Sequence, residues 1–149
     1  DGTWYYLGSP IGRFELVKLF SSILRKDEDK YFLVTPAEKV GIKVDDAPFV
    51  AVDFSIVGNG KNQTLIFETH VGDTVKLNKE NPLRVTIDQN SGEPKPYIHI
   101  RSGLEALIDR KSFYRLIELC SIKTHNKEEW FGICSNKKFF PIILASELS

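Results

Sequence analysis

Six residues in this chain have the types and spacing to hold a ligand. Tyr97, His99 and Arg101 stand two apart in Pro96-Tyr97-Ile98-His99-Ile100-Arg101. Alternate side chains of a strand share a face, so these three project together while Ile98 and Ile100 point the other way. A tyrosine ring can stack on a base, and histidine and arginine can hydrogen-bond a phosphate or a sugar. The same face can equally pack against another part of the chain, with its polar tips taken up by backbone. Arg13 follows Gly8-Ser9-Pro10, where Ser9 suits an N-cap and Pro10 a first helical residue. Unpaired N–H groups at a helix start favour an anion, and an arginine adds a planar fork of donors. An ordinary cap beside a surface arginine reads the same way. Arg110 recurs later in a matching position, and Glu105 is placed to balance Arg101 or Arg110 as an ion pair. The expected ligand-binding set is therefore Arg13, Tyr97, His99, Arg101, Glu105 and Arg110.

Other chemistries find little to work with. His70, His99, His125, Cys120 and Cys134 show no zinc spacing, so no metal is expected. Cys134 and His125 can imitate a nucleophile and its base, but their spacing alone does not make them one. No Walker loop, dinucleotide fingerprint or serine elbow occurs, so no cofactor and no catalytic residue is assigned. Twenty basic and twenty acidic residues cancel, which argues against a sequence-independent grip on DNA or RNA. One small anion needs only two or three arginines. No apolar run approaches the roughly 20 residues that span a bilayer, so no membrane partner is expected. Two cysteines are too few for a disulfide framework. They read as reduced thiols in a cytoplasmic protein, with Cys120 on the apolar side of a helix. The chain starts at Asp1 and contains no Met, so an upstream segment, including any signal peptide, is expected to have been lost. Asn62-Gln63-Thr64 is a glycosylation sequon only in form.

The elements that must position these residues follow from the pattern of apolar side chains. Trp4 to Leu7 reads as a short strand, and Leu16, Val17, Leu19, Phe20, Ile23 and Leu24 as the apolar side of a helix opened by Ser9 and Pro10. The mixed run from Arg25 to Lys30 reads as a solvated loop. Tyr31 to Val34 and Val40 to Val44 read as a hairpin around Pro36. Phe49 to Val57 alternates strongly and turns at Asn59-Gly60 into Thr64 to Val71. Thr74 to Leu77 and Leu83 to Ile87 are further strands, and Asp88 to Pro96 is a loop. Tyr97 to Arg101 leads into a second helix carrying Phe113, Tyr114, Leu116, Ile117 and Cys120. Lys123 to Glu129 is polar, and a last hairpin turns at Ser135-Asn136-Lys137.

The second helix overlays the first at an offset of 97 residues, with Arg13 on Arg110, Leu16 on Phe113 and Ile23 on Cys120. The hairpins overlay at an offset of 99, with Tyr31 on Trp130 and Lys39 on Lys138. The two extra residues fall in a polar loop, where insertions cost least. A strand–helix–hairpin unit present twice implies two packed units, and ligand pockets favour such junctions.

Several motifs carry a family resemblance. They are Asp1-Gly2-Thr3-Trp4, Gly8-Ser9-Pro10-Ile11 with Arg13, Leu33-Val34-Thr35-Pro36 with Glu38-Lys39, Asp46-Ala47-Pro48-Phe49, Gly72-Asp73 and Pro82-Leu83-Arg84. The block Pro96 to Arg101 with Gly103 to Ile108 and Phe113-Tyr114 is the most specific, and Trp130 and Phe139-Phe140 close the set. The chain resembles, over nearly its whole length, the bacterial family called domain of unknown function 1285. That resemblance implies an α+β fold with a domain duplication and a C-terminal domain loosely similar to pleckstrin-homology-like folds. It also implies a signalling role, with a nucleotide-like ligand at the domain interface. His70 stands where the family usually has Asn, and Asn81 where it often has His, which makes both weak candidates for an obligatory contact. The family also has a leading segment that this sequence lacks.

The expectation is an α+β protein of mostly antiparallel sheets: an N-terminal unit over 1–46, incomplete upstream, and a pleckstrin-homology-like domain over 47–149. Its function is expected to be non-enzymatic binding of a nucleotide-like or small anionic ligand between the units. A protein–protein adaptor is the alternative, and an enzyme with an unfamiliar site a third reading. The first requires a concave polar pocket lined by Arg13, His99, Arg101 or Arg110. The second requires an apolar patch outside that cleft. The third requires a buried acid, base or thiol within the pocket.

Overall fold

The structure is a computed structural model that describes residues 2–6 and 8–147. It is an α+β fold, mostly sheet, with two helices. A two-stranded ribbon of β1 (Tyr5–Tyr6) and β2 (Ser9–Pro10) comes first; Leu7, expected to end the first strand, lies outside the described residues. Ser9 and Pro10 therefore do not open the helix. Helix α1 (Phe14–Ser22) starts four residues later, with Arg13 as an extended N-cap residue that gives no side-chain cap. The ribbon wins because Ser9 pairs with Tyr6 and Pro10 with Tyr5.

Beyond α1, β3 (Leu24–Asp27), β4 (Lys30–Val34) and β5 (Lys39–Ile42) form an antiparallel meander. The charged run from Arg25 is thus a strand and not a loop. Leu24 anchors it in the core, and Glu28, at a φ of 56°, makes the turn into β4. A six-stranded sheet follows, built from β6 (Phe49–Val57), β7 (Thr64–Thr69), β8 (Thr74–Lys76), β9 (Leu83–Ile87), β10 (Pro94–Arg101) and β11 (Leu104–Ile108) in the order β8-β7-β6-β11-β10-β9. Only the β6–β11 pair is parallel. The β6–β7 hairpin forms as expected, but Asn59 stays extended and Gly58 and Gly60 take the positive φ values, so the turn is a longer loop. β11 was hidden in the stretch assigned to the approach to the second helix. Its alternation of buried Leu104, Ala106 and Ile108 with half-buried Glu105 and Leu107 is a strand period. Ser102-Gly103, both at positive φ, turn β10 into it. β10 also starts earlier than expected, at Pro94. Its prolines are tolerated because β11 pairing begins only at Tyr97, leaving that end of β10 bonded to β9 alone.

Helix α2 (Arg110–Glu118) follows directly, capped by Asp109, whose Oδ1 accepts the Ser112 N–H at 2.9 Å. A second antiparallel meander ends the fold: β12 (Ser121–His125), β13 (Glu128–Ser135) and β14 (Lys138–Leu144). Its turns, Asn126-Lys127 and Asn136-Lys137, hold positive φ at both central residues, the geometry that matches strand twist. The polar run after α2 is therefore strand and turn, as it was after α1. This meander locks onto the large sheet through Ser135, whose buried hydroxyl accepts from Leu65 N–H at 2.9 Å and donates to the Leu77 carbonyl at 2.7 Å.

One apolar cluster runs through the molecule. Leu24 from the first meander is fully buried with Phe49, Phe67, Ile98 and Leu104 of the large sheet, Leu116 of α2, and Ile133 and Phe140 of the last meander. At about 25 cal/mol per Å² of apolar surface removed from water, such residues dominate stability. The junction between the N-terminal portion and the rest is therefore packed side chain against side chain.

Candidate functional site

The face of β9, β10 and β11 opposite that core carries the polar residues singled out above. Register sets Arg84 of β9 beside Tyr97, and Glu105 of β11 beside His99. The Arg84 guanidinium lies over the Tyr97 ring, 4.4 Å from its centroid, and grips both Glu105 carboxylate oxygens at 2.9 and 2.8 Å. The Tyr97 hydroxyl donates to Asp46 Oδ1 at 2.7 Å. Burial and that bond to a carboxylate raise the Tyr97 pKa well above the ordinary phenol value. The bond to Glu105 raises that of Arg84. The pKa of Tyr31 of β4 is raised as well, first by burial and then by the Glu105 and Asp46 carboxylates.

His99 is held by backbone and by an amide. Its Nε2 accepts the Gly103 N–H at 3.0 Å, and Asn81 Nδ2 lies 3.3 Å from its Nδ1. Asn81 also donates to the carbonyls of His99 and Ile100 at 3.0 and 3.1 Å. Asn81 is thus a clamp on β10. A bulge between His99 and Arg101 then swings Arg101 toward the end of α1, where it donates to the carbonyls of Ser21 at 2.8 Å and Leu24 at 3.4 Å. Burial, and secondarily the like charge of Arg25, lower the Arg101 pKa.

Four of the six predicted residues, Tyr97, His99, Arg101 and Glu105, thus share one seam, where each polar tip is occupied by a neighbour. The other two lie elsewhere. Arg110 starts α2 and pairs with Glu93 at 3.4 Å on the open surface. Arg13 is exposed at the start of α1, one helix of nine residues away from the Arg101 contacts; that is about 13 Å at 1.5 Å per residue. The three guanidinium groups do not converge on a shared hollow. Nor does Glu105 balance Arg101 or Arg110, because the cross-strand geometry gives it Arg84. Arg84, Asp46 and Tyr31 were missed by sequence reasoning. The alternation of β9 could have put Arg84 on the polar face, but nothing local to Asp46 or Tyr31 reveals a partner some 50 residues or more away.

Concavities are shallow. The best-formed is an open trough of about 350 Å³ along β5 and the start of β4, lined by residues including Tyr31, Phe32, Gly41 and Ile42. A second, of about 310 Å³, adjoins it at the β3–β4 turn. Neither is lined by any of the six predicted residues. Among the described residues no three His, Cys, Asp or Glu side chains gather to hold a metal, and no helix is long and apolar enough to cross a membrane. Cys120 donates its thiol to the Leu116 carbonyl, and burial pushes its pKa up to about 12, which makes it inert at neutral pH. The Cys134 sulfur takes a hydrogen bond from Lys123 at 3.1 Å while His125 packs on Phe139, so the two are not a hydrogen-bonded pair.

Comparison with known proteins agrees with the motif pattern. The family model described as "Domain of unknown function (DUF1285), N-terminal domain" matches residues 1–47, and "Protein of unknown function (DUF1285), C-terminal domain" matches residues 48–142. The chain is similar to the crystal structure of a DUF1285 family protein from Silicibacter pomeroyi DSS-3: 56% identity, TM-score 0.92, covering 99% of this chain and 79% of that one. It is also similar to a DUF1285 family protein from Shewanella baltica OS155: 30% identity, TM-score 0.62, covering 78% of this chain and 85% of that one. No curated protein matches.

Proposed function

The chain belongs to the DUF1285 family, and from that premise we propose that it is a non-enzymatic binding module, serving signalling or regulation, whose partner is another protein. The observation that carries this reading is that several large apolar side chains of the N-terminal ribbon and α1 are exposed. Tyr5, Tyr6, Phe14 and Leu19 are 62%, 69%, 46% and 57% exposed, outside the polar seam. Aromatic side chains are enriched at the centres of protein interfaces, where they bury large area at low entropic cost. A nucleotide-like or small anionic ligand between the units has weaker support, because Arg84, Arg101 and Arg110 each already hold a carboxylate or a backbone carbonyl. An occupied guanidinium binds an anion only by giving up its present partner.

The finer architecture belongs to the same reading. Two helix–meander units, α1 with β3 to β5 and α2 with β12 to β14, are taken as copies of one ancestral unit; both helices have nine residues. The strands β6 to β11 followed by α2 are taken as the pleckstrin-homology-like part.

The test places a photo-crosslinking residue at position 6 or 19 of the full chain in its native host. The expected result is one protein partner crosslinked from both positions, with the crosslink from position 19 lost when Tyr6→Asp is added. A thermal-shift panel of nucleotides and dinucleotides runs beside it. A specific ligand at about 100 times its Kd adds about 2.7 kcal/mol, and a shift of that size would turn the reading back to a small ligand.

A further inference from the structure

We propose that Asn59 is a self-modification site: the Gly60 nitrogen attacks its side-chain amide, and the residue converts to aspartate and isoaspartate. That chemistry needs an asparagine whose amide is unheld, followed by a backbone nitrogen that is free and unshielded. Asn59 is the one asparagine of the chain that precedes a glycine. Both residues are exposed, in the loop between β6 and β7. A Cβ added to Gly60 would meet nothing within 4 Å, so that side of its backbone is open. Among the described residues, no hydrogen bond holds the Asn59 side chain or the Gly60 N–H. The loop is tied down only further on, where Gln63 Nε2 donates to the Cys134 carbonyl at 2.8 Å and the Gln63 carbonyl accepts the Asn136 N–H at 3.0 Å. Attack requires the Asn59 ψ of 144° to turn, which breaks the bond from the Asn62 N–H to the Asn59 carbonyl, 3.0 Å long and between two exposed residues.

The Gly60 nitrogen gives its proton to solvent base and bonds to Asn59 Cγ, and the side-chain amide leaves as ammonia. Water then opens the cyclic imide. Opening at Cγ gives aspartate; opening at the main-chain carbonyl gives isoaspartate, with the backbone rerouted through the side chain. Water is the only co-reactant, and nothing is oxidised or reduced. The other asparagines lack this combination. Asn81 precedes Pro82, which has no N–H, and its amide donates to the His99 and Ile100 carbonyls. The nitrogens after Asn62 and Asn90 are occupied, Gln63 N–H on the Gly60 carbonyl at 3.3 Å and Ser91 N–H on Asp88 Oδ1 at 3.2 Å. Asn78 Oδ1 accepts the Glu80 and Asn81 N–H groups. Asn126 and Asn136 precede lysines, whose Cβ crowds the close approach that glycine permits. The protein-partner reading above rests on the ribbon and α1, so this site stands or falls separately.

The experiment incubates the full chain at mildly alkaline pH, native and in guanidinium chloride, and follows each asparagine by peptide mass mapping. An isoaspartyl methyltransferase with a labelled methyl donor scores the isoaspartate. The expected result is conversion at position 59 ahead of every other asparagine, and faster as pH rises, because the attacking nitrogen must lose its proton. Its native rate should lie within about tenfold of the rate in the unfolded chain, or about 1.4 kcal/mol in barrier. Gly60→Ala, which sets a Cβ beside that nitrogen, should slow it about tenfold, and Asn59→Ser should remove the methyl uptake. Circular dichroism melting verifies that both variants stay folded. A native chain that keeps its Asn59 amide, whatever the unfolded chain does, overturns the proposal. So does equal conversion at the other asparagines, or a folded Gly60→Ala variant that converts as fast as the parent. None of these outcomes touches the crosslinking test at positions 6 and 19.

Discussion

Replacing Arg101 with alanine tests whether this arginine joins two parts of the fold. Its guanidinium reaches from β10 to the C-terminal end of α1, donating to Ser21 O at 2.8 Å and Leu24 O at 3.4 Å. A charged donor on a carbonyl contributes about 1.5–3 kcal/mol when its loss strands a buried partner. A cation at a helix C-terminus adds about 0.3–1 kcal/mol. Two features pull the figure down. The Ser21 carbonyl also accepts from the Ile23 N–H, and the Leu24 carbonyl from Arg25 at 2.8 Å, so neither acceptor is orphaned. Arg25 also repels Arg101. The expected loss is therefore about 1.5 kcal/mol, or a fall in Tm of about 3–6 °C for a chain of this size. Urea unfolding measures the first, and hydrogen exchange locates it. Amides of α1 and β3 should exchange faster in the variant while those of β6 and β7 hold. Arg101→Lys, which keeps the charge but not the planar fork, should recover less than half of the loss. A variant within about 0.5 kcal/mol of the parent, the spread of an indifferent surface change, refutes this role.

Gly132→Ala should be far more damaging, by about 3 kcal/mol or more, because the new Cβ would collide with the Phe140 carbonyl oxygen and stand 2.7 Å from the Phe139 ring at the β13 bulge; thermal melting reads it. Ser112→Ala should be neutral or stabilising by up to about 1 kcal/mol, since its buried Oγ has no hydrogen-bond partner among the described residues; a loss above about 1 kcal/mol in urea titration would reveal one. His70 accepts the Val50 N–H at 3.2 Å through Nδ1, and its Nε2 is buried against Gly2 without a hydrogen bond of good geometry. Burial, the largest effect, lowers its pKa below the ordinary 6.5. Between the folded value and 6.5 the unfolded chain binds more protons, so stability should fall as pH drops through about 6.5 and level off below the folded value. His70→Gln should flatten that slope in melts run at a series of pH values.

Much of the secondary structure was legible because its signals are local. The alternation in Phe49 to Val57, the apolar spacing in both helices and the Asn136-Lys137 turn each act within a few residues, and each formed, although the helices end at Ser22 and Glu118 and leave Ile23, Leu24 and Cys120, read as helical, beyond them. Leu24 to Asp27 and Leu104 to Ile108 were misread for physical reasons. The first is a strand whose outer residues are charged, and it persists because β4 pairs with it and Leu24 sits in the core. The second alternates correctly but was absorbed into the approach to α2. Ser9 and Pro10 have good capping chemistry, yet ribbon pairing overrode it.

The candidate site divides along the same line. The sequence by itself put Tyr97, His99 and Arg101 on one strand face and repeated an arginine near the start of each helix, because period and spacing are properties of the chain alone. Which partner each of them meets was decided only in three dimensions. A bulge turned Arg101 toward α1, the β9 register gave Glu105 to Arg84, and Asp46 came from another segment to take the Tyr97 hydroxyl. A guanidinium binds whichever acceptor packing brings within about 3 Å, and sequence spacing carries no record of that distance.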